Sequence, residues 1–226
     1  MTGSSPAEVT GGAAEVAYPP EPWHLGGDFL VGVFLVPVGS LPDEVWNQFP
    51  RGARPLQIAG RVIVGVAAVR YGPGGVLAYD ELLVAIPVIA RRRVSVTIPQ
   101  IWVTSPASRA GGRALWGIPK ELMSARRESA GRSMRALYRR EDRAVLAEAT
   151  GRAGCVLPGT WSLPLPTLQR GGRAAIRSSN SVRARIHLAR TRWAFGSSLS
   201  WLQGRRPALS VALTRAKVVF GARVDR

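Results

Sequence analysis

Gly112-Arg113-Ala114-Leu115-Trp116-Gly117-Ile118-Pro119-Lys120-Glu121-Leu122 decides how the rest of the chain is read. A helix is expected to end near Leu115 and Trp116, and the chain to turn at Gly117. Pro119 forces an extended conformation on Ile118 before it. Lys120 therefore lies just past a rigid corner, flanked by the apolar side chains of Trp116, Ile118 and Leu122. An amine in such surroundings loses the hydration that supports its charged form. A neutral amine can attack a carbonyl carbon and form a Schiff base. A lone lysine more often snorkels from an ordinary loop, so the segment needs a companion before it carries chemistry.

The sequence on either side reads as strands separated by turns. Phe29–Val36 is an apolar run, and Arg61–Tyr71 is rich in Val and Ile and ends in Gly72-Pro73-Gly74-Gly75, a strong turn signal. Tyr79–Ile89 is a further strand, and Val94–Val103 alternates Val94, Val96 and Ile98 with Ser95 and Thr97. Met134–Tyr138 and Ala144–Ala149 flank a polar turn as a hairpin. Val182, Ala184, Ile186 and Leu188 alternate with Arg183, Arg185 and His187, giving a strand with one basic, wet face. Pro207–Val219 closes the chain as a strand. Two short helices are expected, each opened by a serine cap and a proline, at Ser40-Leu41-Pro42-Asp43 and at Ser105-Pro106. The pattern predicts an α+β fold that is mainly antiparallel β, closed or barrel-like, with a few short helices. Residues 1–20 are small, polar and Gly/Pro-rich and read as a disordered leader. No linker divides residues 21–226, which read as a single domain.

Composition narrows the function classes. The net charge of +17 over 226 residues invites nucleic-acid binding. Yet only Lys120 and Lys217 among the 31 basic residues are lysines, and the arginines are scattered without a basic tail. That ratio points to codon bias, and the nucleic-acid reading is not favoured. Each retained lysine is instead a position where arginine would be a poor substitute. No apolar run reaches the roughly 18–20 residues a membrane helix needs, so no membrane partner is expected. A single cysteine, Cys155, expected to be a small buried apolar group, fits a reducing, cytoplasmic setting. His24 and His187 have no Cys or carboxylate at ligand spacing, and phosphate and dinucleotide loops are missing. No metal or cofactor is expected. Catalysis, if any, rests on Lys, Glu, Tyr or Arg side chains.

The companion to the lysine is Tyr79-Asp80-Glu81-Leu82-Leu83-Val84-Ala85-Ile86-Pro87, an otherwise apolar strand with an acid at its head. Together the two segments resemble the acetoacetate decarboxylase superfamily. Its members show a Glu-x-x-x-Ala-Ile-Pro-like strand, followed at similar spacing by a Gly-Arg-Glu-x-Trp-Gly-x-Pro-Lys-like segment that carries the Schiff-base lysine. The resemblance implies a cone-like closed β-barrel with a buried pocket, in a homo-oligomer. It makes Lys120 the nucleophile and Glu81 the carboxylate that orients it or shuttles protons, with Tyr79, Trp116, Ile118 and Glu121 around the substrate. It implies lyase chemistry on a β-keto or related carbonyl acid, by decarboxylation or related C–C cleavage. The alternative is a non-catalytic barrel of the same fold holding a small apolar ligand.

Two positions depart from the family. Decarboxylases follow the nucleophile with a second lysine, where this chain has Glu121. Facing the amine, Glu121 would favour the ammonium form; on an extended chain, however, neighbours point to opposite faces. Decarboxylases also place an arginine on an early strand to meet the substrate carboxylate, and Leu25–Pro37 contains no basic residue. A bulkier or less acidic carbonyl compound than acetoacetate is expected.

Overall fold

Val, Ile and Leu at alternate positions make the strands two-faced, and along Arg61–Tyr71, Tyr79–Ala90 and Arg93–Val103 both faces are largely covered. The computed structural model describes residues 16–172 and 174–225. In chain order these form β1 (Trp23–Pro37), α1 (Asp43–Trp46), β2 (Arg54–Pro55), β3 (Gln57–Ile58), β4 (Arg61–Tyr71), β5 (Tyr79–Ala90), β6 (Arg93–Val103) and α2 (Pro106–Trp116). Then follow β7 (Lys120–Ala130), β8 (Ser133–Arg140), β9 (Val145–Val156), β10 (Trp161–Pro164), β11 (Thr167–Gln169), β12 (Ile176–Phe195) and β13 (Leu209–Asp225). Single 3₁₀ segments occupy Val38–Ser40 and Ser197–Leu202.

The strands belong to one mixed sheet. Pairing runs β6-β7-β8-β9-β12-β13-β1-β4-β5 and returns to β6, a ring of nine strands. Short β11 pairs with both β6 and β12, which closes a smaller ring on the other face of β12, β13, β1, β4, β5 and β6. Strand alternation sorts the side chains between the two rings. Leu82, Val84, Ile86 and Val88 of β5 join Phe34, Val62, Val64, Tyr138 and Leu146 in one core. Tyr79 of the same strand joins Trp23, Val69, Trp116, Ile118 and Val218 in the second. An extra residue in β6, between Thr97 and Gln100, shifts its register against β5. The bulge lets Ile98 and Ile101 both face the second core.

Most pairs are antiparallel, as expected, but β6 and β7 run parallel, with Ile101 opposite Lys120. Parallel neighbours need a crossover, and α2 supplies it. Ser105 caps this helix as the sequence predicts, its Oγ accepting from Ser108 N at 3.2 Å, and Gly117 ends it at φ 63°, ψ 21°. That left-handed conformation suits glycine. The expected serine cap at Ser40 is not found: Ser40 closes the 3₁₀ turn, and α1 begins after Pro42. The reason is local, since Leu41 precedes a proline and is held extended at φ −75°, ψ 125°. Cys155, expected buried, is exposed. It lies beyond Arg152, the last β9 residue in the β8 ladder, and beyond Ala153, the last residue of β9 packed against a core.

Of the expected leader, residues 1–15 lie outside the described residues. Residues 16–20 form no helix or strand. Tyr18 nevertheless packs against the second core, and Pro19 accepts a 2.8 Å hydrogen bond from Trp23 Nε1. Among the described residues no helix is long and apolar enough to cross a membrane.

Candidate active site

The second core is hollow. A cavity of about 220 Å³ is lined by side chains from β1, β4, β5, β6, β12 and β13, with Trp116 and Ile118 at the α2–β7 corner. Apart from Lys120, Glu81, Tyr71 and Tyr79, its walls are hydrocarbon and the faces of Trp23 and Trp116. Both indole N–H groups point away from it: Trp116 Nε1 donates to Glu21 at 3.0 Å, and Trp23 Nε1 to Pro19.

Lys120 enters this cavity as the first residue of β7. Its Nζ donates to Ser108 Oγ at 2.9 Å and to Glu81 Oε2 at 3.0 Å, with Tyr79 Oη at 3.4 Å. Tyr79 Oη also donates to Glu81 Oε2, at 3.3 Å. Lys120 and Glu81 are each only 4% exposed, so bulk water does not screen the pair. The amine lies 5.3 Å from the Tyr79 ring centre and 5.9 Å from that of Trp23, within the range of cation–π attraction. Burial, then the charge of Glu81, hold the Tyr79 hydroxyl well above the ordinary tyrosine range, so it stays a protonated donor. The same two causes, in the same order, act on Tyr71.

Backbone features place the amine. The αL turn at Gly117 and a tight turn at Pro119, where Lys120 N donates to the Ile118 carbonyl at 2.8 Å, set the start of β7 against α2. Gly112 lets it lie there: a Cβ at that position would stand 2.6 Å from Lys120 Cδ and 2.8 Å from Cε. Gly111 gives the same clearance to Trp23, whose ring would meet a Cβ at 2.5 Å. From α2, Arg113 Nε donates to the Lys120 carbonyl at 2.7 Å and pins the start of the strand.

Of the residues expected from sequence, Lys120, Glu81, Tyr79, Trp116 and Ile118 meet around this cavity. Glu121 does not. The alternation of an extended chain turns it outward, where it pairs with Arg113 Nη2 at 2.5 Å and its side chain is 57% exposed. Of the two positions open to it from the sequence, it takes the one away from the amine. Ser108 and Tyr71 escaped the sequence reading as site residues, Gly112 was read only as part of the segment, and Trp23 was expected to be core or rim packing. Ser108 and Gly112 stand four residues apart on α2, the spacing that puts two small residues on one helical face. That was the available signal.

Comparison with known proteins finds the same fold elsewhere. The family described as acetoacetate decarboxylase matches residues 53–162, which include both Glu81 and Lys120. Among solved structures, acetoacetate decarboxylase from Legionella pneumophila superposes with a TM-score of 0.71 at 14% identity, over 100% of this chain and 98% of that one. The enduracididine biosynthesis enzyme MppR complexed with pyruvate gives a TM-score of 0.62 at 17% identity, over 94% and 91%. An acetoacetate decarboxylase-like enzyme from Sphingomonas wittichii gives 0.61 at 15% identity, over 95% of each chain. No curated protein matches the sequence. The chain has the fold of the acetoacetate decarboxylases, and its residues 53–162 are similar to that family.

Proposed function

We propose that the protein is a lyase-like enzyme that forms a Schiff base between Lys120 and a carbonyl substrate and then cleaves a C–C bond. The observation that carries this reading is a primary amine, 4% exposed, within 3.0 Å of one carboxylate inside an apolar cavity. For Nζ to attack, it must first lose a proton, and Glu81 Oε2 is placed to take it. Attack on the carbonyl carbon and a proton shift from nitrogen to oxygen give a neutral carbinolamine. Glu81 then returns its proton to the hydroxyl, which leaves as water and yields the iminium ion. That ion accepts the electron pair released when a β-keto acid loses carbon dioxide or when a β-hydroxy ketone undergoes retro-aldol cleavage. Protonation of the resulting enamine at carbon, then hydrolysis, frees the amine and the ketone. Tyr79 and Ser108, fixed around the same nitrogen, donate to the oxygen as it changes charge.

The ring of strands and the apolar pocket beside it support a cone-like barrel around this site. The MppR neighbour, described with pyruvate bound, supports a carbonyl ligand in this fold. A homo-oligomer completes the reading, since Trp161 and Leu163 of β10 are large apolar side chains left exposed. Incubation with a panel of ketones and keto acids plus cyanoborohydride, followed by peptide mass analysis, tests the proposal. A reduced adduct on the Lys120 peptide is expected. Absence of an adduct with every carbonyl compound favours the alternative, a barrel that only binds a small apolar ligand.

A further inference from the structure

The lining of the cavity selects for charge as well as size. Beyond Lys120, none of the side chains around it is basic, and the amine is already matched by Glu81 at 3.0 Å. Within reach of β1, where a substrate tail would extend away from Lys120, the walls are Leu25, Phe29 and Val31. A carboxylate bound there would be buried without a partner, which is strongly unfavourable. The iminium ion would not relieve this, because its positive charge replaces the ammonium that Glu81 already neutralises. One further group faces the cavity without a commitment: Tyr71 Oη makes no hydrogen bond among the described residues, and it stays a neutral phenol. A phenol suits a second neutral oxygen.

Resting on the Schiff-base reading above, we infer that the substrate is an uncharged, largely apolar ketone or aldehyde and not a keto carboxylate. The volume of about 220 Å³ corresponds to about seven water-sized groups at about 30 Å³ each. A methyl ketone with a short alkyl tail fills it. A neutral compound has no carbon dioxide to lose, so the cleavage this cavity supports is the retro-aldol of a β-hydroxy ketone. Glu81, a carboxylate again once water has left, takes the β-hydroxyl proton; the Cα–Cβ bond breaks to release an aldehyde, and its electron pair passes to the iminium ion to give the enamine.

The test compares two probes that differ only by a carboxylate at the end of the tail, 2-heptanone and 7-oxooctanoate, which cannot lose carbon dioxide, in cyanoborohydride trapping on the full-length protein. Half-saturation of the Lys120 adduct is expected at a concentration at least tenfold lower for the ketone. The variant Val31→Arg, which places a cation on the cavity wall, should narrow or reverse that ratio. Equal or tighter saturation by the acid in the unmodified protein overturns the inference while leaving the Schiff base intact. Trapping of neither probe, nor of any shorter carbonyl compound, removes the parent reading and this one with it.

Discussion

Lys120 and Glu121 are neighbours in sequence, yet each belongs to an ion pair in a different physical regime. Lys120 pairs with Glu81 where both side chains are 5% exposed, inside an apolar cavity and at the focus of three donors and acceptors. Glu121 pairs with Arg113 on the outer face, where the side chains are 57% and 47% exposed. Water screens the outer pair, and such contacts contribute about 0–1 kcal/mol. The inner pair is not screened, and removing one partner from a pair of that kind costs about 3–5 kcal/mol. Glu121 therefore does not reach the Lys120 amine, because the strand pleat separates the two positions. The outer pair acts on geometry instead, through the same Arg113 that holds the Lys120 carbonyl.

The sharpest way to break this contrast is to neutralise the inner acid. Glu81→Gln removes the proton acceptor at 3.0 Å, and the rate of imine formation should fall by about 10²-fold or more. An unchanged rate in stopped-flow trapping would put the proton acceptor elsewhere. Gly112→Ala separates positioning from stability. Alanine is favoured over glycine by about 1 kcal/mol within a helix, but its Cβ would lie 2.6 Å from Lys120 Cδ. The thermal midpoint should hold or rise slightly while imine formation drops by about tenfold to a hundredfold. A variant with normal activity would show that the lysine has freedom the packing does not suggest.

Tyrosine titration probes the inner region as a whole. The hydroxyls of Tyr71 and Tyr79 are raised above the ordinary tyrosine range, chiefly by burial. A group whose folded-state value lies above its unfolded one contributes stability that is complete below the unfolded value, about 10, and lost as pH rises beyond it. Chemical denaturation should show stability falling above pH 10, with phenolate absorbance appearing together with unfolding. Phenolate signal from these residues in a still-folded protein would mean the cavity is wet. The smallest effect is expected from Glu121→Gln: activity within about twofold and little change in stability.

How much of this was legible in sequence differs between regions for physical reasons. The α2–β7 corner could be read almost residue by residue, because Ser105, Pro106, Gly117 and Pro119 each restrict the backbone locally. Glu81 and Lys120 were found together only through resemblance, since their 3.0 Å contact spans 39 positions and depends on β5, β6 and α2 assembling correctly. The strand from Lys120 to Ala130 was missed as a strand. Its Lys-Glu-Leu-Met-Ser-Ala-Arg-Arg-Glu-Ser-Ala sequence has little β-branched content, and ladder pairing with β8 imposes the conformation. Ser108 was hidden for another reason: in a helix that begins with Ser105-Pro106, a serine three positions on reads as part of the cap. Only the fold brings its hydroxyl to 2.9 Å from the amine.

The central claim is that Lys120 forms an imine with a bound carbonyl compound, and oxygen exchange tests it without trapping or an assumed product. A ketone that becomes an imine loses its oxygen as water and regains one from solvent on hydrolysis. In ¹⁸O-labelled water the protein should speed label entry into 2-heptanone well above the uncatalysed rate, and Lys120→Gln should abolish that acceleration. Label entering no faster with the native protein than in buffer alone would contradict the account.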